Sequence, residues 1–368
     1  METQPRLTRN LRIPGPTPVP PQVLEALARP IIGHRGPEAQ TLLARLQSKL
    51  QQVFQTKHDV LIFTASGTGG MEAAVANLLS PGDRVLVASA GVFGERWAQI
   101  AEAYHADVDV MRYPHGMGFH PEEVAAHVQR HGPYRALFVT HNETSTGVTN
   151  DLAGLARALA PMGDARPLLV VDAISSLAAI DLQTDAWGCD VVVTGSQKAL
   201  MTPPGLALVS VSPRALGAAE EAATPRFYWD FRRMREYAQE RRQTPFTPAV
   251  SLLQALDVAL DLLLAEGLQN VFRRHQELAD FFRDGAAELG FSFLAQPPFR
   301  SNAVTTLLPP EGTAADTILK RLREEFAIEV AGGQGPLKGK VVRVGHMGWV
   351  TREDLQSVLD ALREVLRG

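Results

Sequence analysis

The 368 residues carry a formal net charge of −4 at pH 7 and are 45% hydrophobic and 21% charged, a balance typical of a globular protein. This charge excludes the cationic surface that nucleic acid or an anionic membrane would require, and no apolar run approaches the roughly 20 residues of a membrane helix. A single cysteine, Cys189, excludes a disulfide framework and a cysteine-rich metal site, so we expect no metal. Because the first residues lack the apolar segment of a signal peptide, we expect a cytoplasmic protein.

The first 20 residues are rich in proline. Pro14, Pro16, Pro18 and Pro20 fix φ and remove backbone donors, which predicts an extended arm over residues 1–20 rather than sheet or helix. Helical patterns follow over residues 21–28 and 37–55. In the second pattern, apolar residues recur close to every 3.6 positions, at Leu42, Leu43, Leu46, Leu50 and Val53.

Short apolar runs then alternate with helical patterns. The runs lie at residues 60–65, 84–89, 106–112, 135–141, 167–173, 190–196 and 205–211, and helical patterns lie at 71–79, 94–104, 121–130 and 152–160. Continuous Val/Leu runs separated by amphipathic helices are typical of a mostly parallel sheet covered by helices on both faces. The last run follows a connection too short for a crossover helix, which favours an antiparallel strand.

The pattern changes after about residue 213. Long helical patterns occupy residues 227–242, 248–264 and 268–289, and a smaller α+β segment follows, with strands near 303–309, 327–333 and 340–346 and helices near 314–325 and 352–366. We therefore predict an α/β fold. Its large domain spans residues 21–250, and a connecting helix with a small α+β domain spans 251–368.

Polar clusters follow four of the predicted strands, and ligands of such sheets bind beyond the carboxyl ends of the strands. Residues 66–70 (SGTGG) lie where a strand ends and a helix begins. Backbone N–H groups and the helix dipole suit a phosphate there, although a plain tight turn is the alternative. Residues 142–146 (NETST) carry more polar side chains than a turn needs, although a capped loop would also account for them.

The other two clusters contain Asp172, which ends an apolar run, and Lys198, which follows another. A buried carboxylate needs a cationic or donating partner, and a lysine in a cleft has a lowered pKa that makes its amine a nucleophile. Singly, Asp172 could cap a turn and Lys198 could be a solvated surface residue. With a phosphate site, however, they form the set that pyridoxal phosphate (PLP) requires: an amine for the imine, a carboxylate for the pyridine nitrogen and donors for the phosphate.

The sequence resembles the class V, fold-type I PLP aminotransferases, in particular the alanine–glyoxylate and serine–pyruvate aminotransferase group. The resemblance extends from PGPTPVP (14–20) to KVVRVGHMG (340–348). In the order and spacing of the family, it includes the motifs SGTGGMEAA, PGDRVLV, THNETSTGV, VDAISS and GSQKAL. It implies the PLP transferase fold and a homodimer with a shared active site.

The resemblance also implies roles for individual residues. Lys198 would form the Schiff base with PLP and act as the general base of the 1,3-proton shift, and Asp172 would pair with the pyridinium nitrogen. The phosphate would be held by Ser66, Gly67, Thr68 and Gln197, with Thr247 reaching it from a second subunit.

Further roles follow from the same resemblance. Phe93 stands where the family has an aromatic residue stacked on the cofactor ring, often a larger one, and Ile174 would pack against the other ring face. Thr144 would bond the ring hydroxyl, and Arg343 matches the arginine that binds the α-carboxylate of the substrate, for which a planar guanidinium is suited. Two further residues, His34 and Arg35, border the expected substrate entrance without an assigned role.

The function implied is transamination between a small L-amino acid, alanine or serine, and a 2-oxo acid, glyoxylate or pyruvate. The alternatives are a PLP-dependent lyase on the same scaffold and a non-catalytic PLP-fold subunit. A cysteine desulfurase would need a mobile, exposed thiol, whereas Cys189 directly precedes an apolar strand. A nicotinamide-binding fold has little support, since no GxGxxG follows the first strand.

Overall fold

The computed structural model describes residues 9–367. Residues 1–8 of the predicted arm and Gly368 lie outside this part. Within it, residues 12–20 form neither helix nor strand, and a two-residue strand precedes them.

Between residues 9 and 367 the chain forms twelve α-helices, which are α1 (Pro21–Leu27), α2 (Pro37–Phe54), α3 (Gly67–Leu78), α4 (Val92–Ala103), α5 (Pro121–His131), α6 (Leu152–Leu159), α7 (Pro213–Glu221), α8 (Phe231–Arg241), α9 (Val250–Glu266), α10 (Leu268–Glu288), α11 (Ala315–Glu325) and α12 (Arg352–Arg367). The same residues contain fifteen strands, which are β1 (Asn10–Leu11), β2 (Asp59–Thr64), β3 (Arg84–Ser89), β4 (Asp107–Arg112), β5 (Ala136–Thr140), β6 (Asn142–Glu143), β7 (Val148–Thr149), β8 (Leu168–Asp172), β9 (Val191–Gly195), β10 (Leu206–Val211), β11 (Ser292–Phe293), β12 (Val304–Leu308), β13 (Ile328–Glu329), β14 (Ala331–Gly332) and β15 (Val342–Gly345). None of the helices in this range is both long and apolar enough to cross a membrane.

A seven-stranded sheet in the order β2-β10-β9-β8-β5-β3-β4 forms the centre of the large unit. Strand β10 pairs antiparallel with both of its neighbours, and the other pairs are parallel. Alternate residues of one strand face opposite sides, so that Val171 belongs to one apolar cluster and Val170 to the other. Burial on both faces explains the continuous apolar runs of the sequence and confirms the predicted mostly parallel sheet with its reversed last strand.

The smaller C-terminal unit contains the antiparallel sheet β11-β12-β15-β14, with α10, α11 and α12 contributing to its core. Strand β1 of the arm pairs in parallel with β13 of this unit, and the amide of Gly345 donates to the carbonyl of Arg12. The arm therefore joins the C-terminal unit before it reaches the large sheet. The predicted fold class is confirmed, while the domain boundaries near residues 20 and 250 stay a prediction.

Helix α3 begins four residues earlier than the pattern predicted. The sequence predicted a helix from residue 71, because Gly67, Gly69 and Gly70 disfavour helix by propensity. Packing explains the difference: a Cβ on Gly67 would lie 2.5 Å from Ile174, and one on Gly70 would lie 2.7 Å from Val193. The glycines thus let the first turn of α3 approach the strand ends, which makes Gly67 and Thr68 its first residues.

Candidate active site

The carboxyl ends of β2, β3, β5, β8 and β9 surround one cleft, as expected for parallel strands of a single sheet. Every predicted site residue except Thr247 and Arg343 lines it. The lining residues are Ser66, Gly67, Thr68, Phe93, Arg96, Asn142, Thr144, Asp172, Ile174, Ser175, Gln197 and Lys198. Residues from five strand ends, separated by up to 132 positions in sequence, therefore meet at one place.

Lys198 lies in the loop after β9. Its amine faces the cleft and donates a hydrogen bond to the backbone carbonyl of Pro14 in the arm. The side chain retains some accessible surface, but the protein atoms packed around it desolvate the ammonium and lower its pKa to about 8. The negative charge of Asp172 opposes this shift, and the positive charges of Arg343 and Arg96 add to it. A larger fraction of the amine is thus neutral near pH 7 than for a solvated lysine.

Asp172 is the last residue of β8 and is 3% exposed. Burial raises the pKa of its carboxyl to about 7, and the nearby carboxylate of Glu143 raises it further. The backbone N–H of Ile174, which donates to Oδ1 at 2.8 Å, acts in the opposite direction, as do the charges of Lys198 and Arg96. A cationic N–H group in the cleft would stabilise the charged carboxylate, which is what a protonated pyridine nitrogen supplies.

The turn between β2 and α3 offers donors without acceptors. Ser66 is the N-cap of α3, but its hydroxyl makes no capping bond, and its carbonyl accepts from the amides of Gly69 and Gly70. The backbone N–H groups of Gly67 and Thr68 have no acceptor in the described part of the chain. Unpartnered donors at a helix N-terminus fit a phosphate.

Gln197 faces the same turn, and its amide adds to this donor set. Its buried Oε1 has no partner within residues 9–367. Oε1 can only accept, so the part of this amide that suits a phosphate is Nε2, which donates to no atom among the same residues. These residues fit the phosphate of PLP.

Phe93 and Arg96 lie one turn apart on α4, on the same face of the helix. The guanidinium carbon of Arg96 lies 4.6 Å from the ring centroid of Phe93, and Nη1 donates to Oγ1 of Thr68 at 3.1 Å. The start of α4 is fixed by the buried carboxylate of Glu143, which accepts from the amides of Phe93 and Gly94 at 2.9 and 3.1 Å. Arg96 was not among the predicted site residues, because an arginine in a helical pattern is by itself typical of an exposed surface.

The loop after β5 is held against the loop after β8. Nδ2 of Asn142 donates to Oγ of Ser175 at 2.8 Å, and that hydroxyl donates to the carbonyl of Asn142 at the same distance. Both residues line the cleft and were not predicted as site residues. The sequence could not reveal this contact, because it joins β6 to a loop 33 residues further along the chain.

Arg343 projects from β15 of the C-terminal unit and is bonded to the backbone of Thr144, one of the lining residues. It is 6% exposed, and it donates from Nε to the carbonyl of Gly332 at 2.8 Å and from Nη1 to the carbonyl of Thr144 at 3.0 Å. Burial lowers its pKa, and Glu143 partly offsets that effect. Two carbonyls thus orient the guanidinium from both units, while Nη2 has no hydrogen-bond partner among residues 9–367.

Thr247 is exposed and lies outside the cleft of its own chain. The segment before it contacts Arg35, whose guanidinium donates to the carbonyls of Thr244 and Pro245. His34 is partly exposed and does not line the cleft. The roles suggested for Thr247, His34 and Arg35 stay predictions.

Cys189 is buried, and it lies two residues before β9, at the opposite end of the strand from Lys198. Burial raises the pKa of its thiol to about 12. A thiol in this position is neither ionised near pH 7 nor close to the cleft, as a desulfurase nucleophile must be.

Comparisons with known proteins agree with this geometry. A family model described as "Aminotransferase class-V" matches residues 10–358. A protein named soluble hydrogenase, small subunit, from Synechococcus sp. is 43% identical over 97% of this chain and 92% of its own. L-aspartate–glyoxylate aminotransferase of Paracoccus denitrificans is 39% identical over 92% of this chain and 86% of its own. The crystal structure of alanine–glyoxylate aminotransferase from Nostoc sp. matches with a TM-score of 0.94 and 34% identity, over 100% of this chain and 97% of that one.

Proposed function

The chain belongs to the class-V aminotransferases, a family of PLP-dependent enzymes, and from this premise we propose that it transfers the amino group of alanine or serine to glyoxylate or pyruvate. One observation carries the proposal: Lys198 and Asp172 lie at neighbouring strand ends in a single cleft that also contains unpartnered phosphate donors. The relatives from Paracoccus and Nostoc differ in the amino donor that their names give but share glyoxylate, which supports a small 2-oxo acid as acceptor.

When bound, PLP supplies an electron sink that stabilises negative charge at the substrate Cα. Lys198 would hold the cofactor through its amine, and the same amine would serve as the base for the substrate Cα proton. Its desolvated surroundings keep much of that amine neutral near pH 8, so that it is available both as nucleophile and as base.

Asp172 holds the proton on the ring nitrogen, because a carboxylate in this buried position needs a cationic partner. Ser66, Gly67, Thr68 and Gln197 hold the phosphate. On the two ring faces, Phe93 and Ile174 would fix the plane of the cofactor.

Arg343 would bind the substrate carboxylate through Nη2, since Nε and Nη1 donate to backbone carbonyls. Thr144, whose carbonyl accepts one of these bonds, would place its hydroxyl on the ring oxygen. The backbone bonds fix the guanidinium before substrate arrives, which lowers the entropy lost on binding.

We also propose a cytoplasmic homodimer in which Thr247 reaches the phosphate of the partner subunit. Thr247 is exposed, and aromatic residues lie beside it: Phe246 stacks on Tyr228 at 5.1 Å, and Phe227 is 67% exposed. Ile31 adds a second exposed apolar side chain. Exposed apolar clusters of this kind favour a protein interface.

The rival functions find less support. A desulfurase lacks its thiol in the cleft, and a non-catalytic subunit would have no need of Lys198 beside Asp172. The name of the Synechococcus relative refers to a hydrogenase. Iron–sulfur clusters for electron transfer are held by several cysteine thiolates, whereas this sequence contains one cysteine. A PLP-dependent lyase remains the rival to test.

The test is a half-reaction screen. The PLP-loaded protein is mixed with individual amino acids, and conversion of the bound cofactor to pyridoxamine phosphate is followed by absorbance. We expect conversion with alanine or serine and its reversal by glyoxylate, and no conversion by Lys198→Ala. Release of free pyruvate from serine without any acceptor would instead identify a lyase and refute transamination.

A further inference from the structure

We propose that Arg96 binds the phosphate of the cofactor and supplies the positive charge that the neutral donors around Ser66 lack. The inference rests on the proposed function and deepens it, because it adds to the cofactor site a residue that the motifs did not reveal.

Arg96 lies beside the first turn of α3, where the phosphate donors are. Nη1 of Arg96 donates to Oγ1 of Thr68 at 3.1 Å, and Thr68 occupies the first turn of α3. The backbone N–H of the same residue has no acceptor in the described part of the chain. A phosphate bound to that N–H group would therefore lie within reach of the guanidinium.

Arg96 forms no ion pair among the described residues. Within residues 9–367, Arg96 has no carboxylate within 4.0 Å, although its neighbour Glu95 is paired with Arg112 at 3.0 Å. Of the other two cations near the cleft, Lys198 donates to the carbonyl of Pro14, and Arg343 is not among the residues that line the cleft. Arg96 is thus the cation with free donors at the phosphate end of the cleft.

The charge of Arg96 also suits a phosphate. A phosphate monoester carries about −1.5 to −2 charges near pH 7, whereas hydroxyl, amide and backbone donors carry none. Charge-assisted bonds are roughly twice as strong as neutral ones, and a guanidinium suits phosphate because it can donate two parallel bonds. The contact with Phe93 fixes the guanidinium by a cation–π interaction.

The experiment compares PLP with pyridoxal, which lacks the phosphate. Cofactor-free wild type, Arg96→Gln, Arg96→Lys and the control Arg112→Gln are titrated with each compound, and Kd is read from absorbance. We expect Arg96→Gln to raise Kd for PLP about tenfold or more and for pyridoxal less than about twofold, because only the phosphate contact is lost. The Kd of Arg96→Lys for PLP should lie between those of wild type and Arg96→Gln, and Arg112→Gln should bind both compounds as wild type does.

Other outcomes would overturn the inference. An equal loss of affinity for PLP and for pyridoxal in Arg96→Gln would show that Arg96 only supports the fold of the cleft. An unchanged PLP Kd with a raised KM for aspartate, but not for alanine, would assign Arg96 to a substrate side-chain carboxylate. Either result, combined with wild-type transamination, refutes this inference alone, whereas a wild-type protein that binds no PLP refutes the proposed function as well.

Discussion

The amine of Lys198 and the backbone carbonyl of Pro14 are joined by a hydrogen bond, so the arm lies directly against the residue on which the chemistry depends. The arm is fixed there by Thr17, whose amide donates to the carbonyl of Gln197 at 3.0 Å and whose hydroxyl donates to that of Lys198 at 2.8 Å. Between these contacts lies Gly15, with a φ of +122°. A Cβ at this position would lie 2.5 Å from Nζ of Lys198.

Gly15→Ala should therefore displace the lysine amine. We expect the variant to bind PLP but to form the covalent bond with Lys198 at least about tenfold more slowly, because the methyl group and the amine compete for one position. Borohydride reduction followed by mass spectrometry measures the covalent fraction. Gly82→Ala is the matched control, since Gly82 also has a positive φ, of +86°, and a Cβ on it meets no atom within 4 Å. Wild-type kinetics in Gly15→Ala would contradict the argument.

The lowered pKa of Lys198 predicts the pH dependence of PLP uptake. Attack on an aldehyde requires the neutral amine, and burial lowers the pKa from 10.5 to about 8. The rate of covalent PLP binding by the cofactor-free protein should rise between pH 6 and 8 and level off roughly one unit above the pKa. Stopped-flow absorbance measures it. A rate that still rises steeply at pH 10 would indicate a solvated lysine and would contradict the structure.

The strands and most of the site were predictable from sequence, because apolar runs identify strands and the cleft lies at their carboxyl ends. Asp172 ends one of those runs, and Lys198 lies two residues after another. Arg343 is different: its bond to the carbonyl of Thr144 joins positions 199 residues apart, in two units. No local sequence pattern predicts such a contact. Only the family resemblance identified Arg343 as a site residue. Arg96 was missed because a helical arginine is, without tertiary information, a surface residue.

Arg343→Lys tests the carboxylate-binding role. Lysine keeps the charge but loses the planar pair of donors, so KM for both the amino acid and the 2-oxo acid should rise about tenfold or more. The Kd of PLP should stay unchanged, because Arg343 does not line the phosphate end of the cleft. Steady-state kinetics measure KM for the substrates, and a titration measures Kd for PLP. Arg323→Lys, an exposed arginine of the same unit paired with Glu329, is the control. A raised PLP Kd with normal KM would contradict the assignment.

Asp172→Asn should stabilise the cofactor-free protein while impairing catalysis. The pKa of this carboxyl is raised from 3.8 to about 7 in the folded protein, so burial destabilises its charged form relative to its neutral form. The stability that the raised pKa confers is fully present below pH 3.8 and is lost as pH rises toward 7. At pH 8 the wild type has lost it, whereas asparagine stays neutral and can still accept from the amide of Ile174. We expect Asp172→Asn to raise the free energy of unfolding at pH 8 by about 2–4 kcal/mol, and the gain to shrink progressively toward pH 4.

Urea unfolding of both cofactor-free proteins at pH 8 and pH 5 measures this difference. With PLP bound, the same variant should lose turnover by about 100-fold or more, because asparagine does not hold the proton on the ring nitrogen. Asp172→Asn could instead be less stable than wild type at pH 8, or its gain in unfolding free energy could grow as the pH falls. Either result would show that a cationic partner already stabilises the charged carboxylate in the cofactor-free protein. Its pairing with the cofactor would then need another explanation, since a satisfied carboxylate gains little from a cationic ring nitrogen.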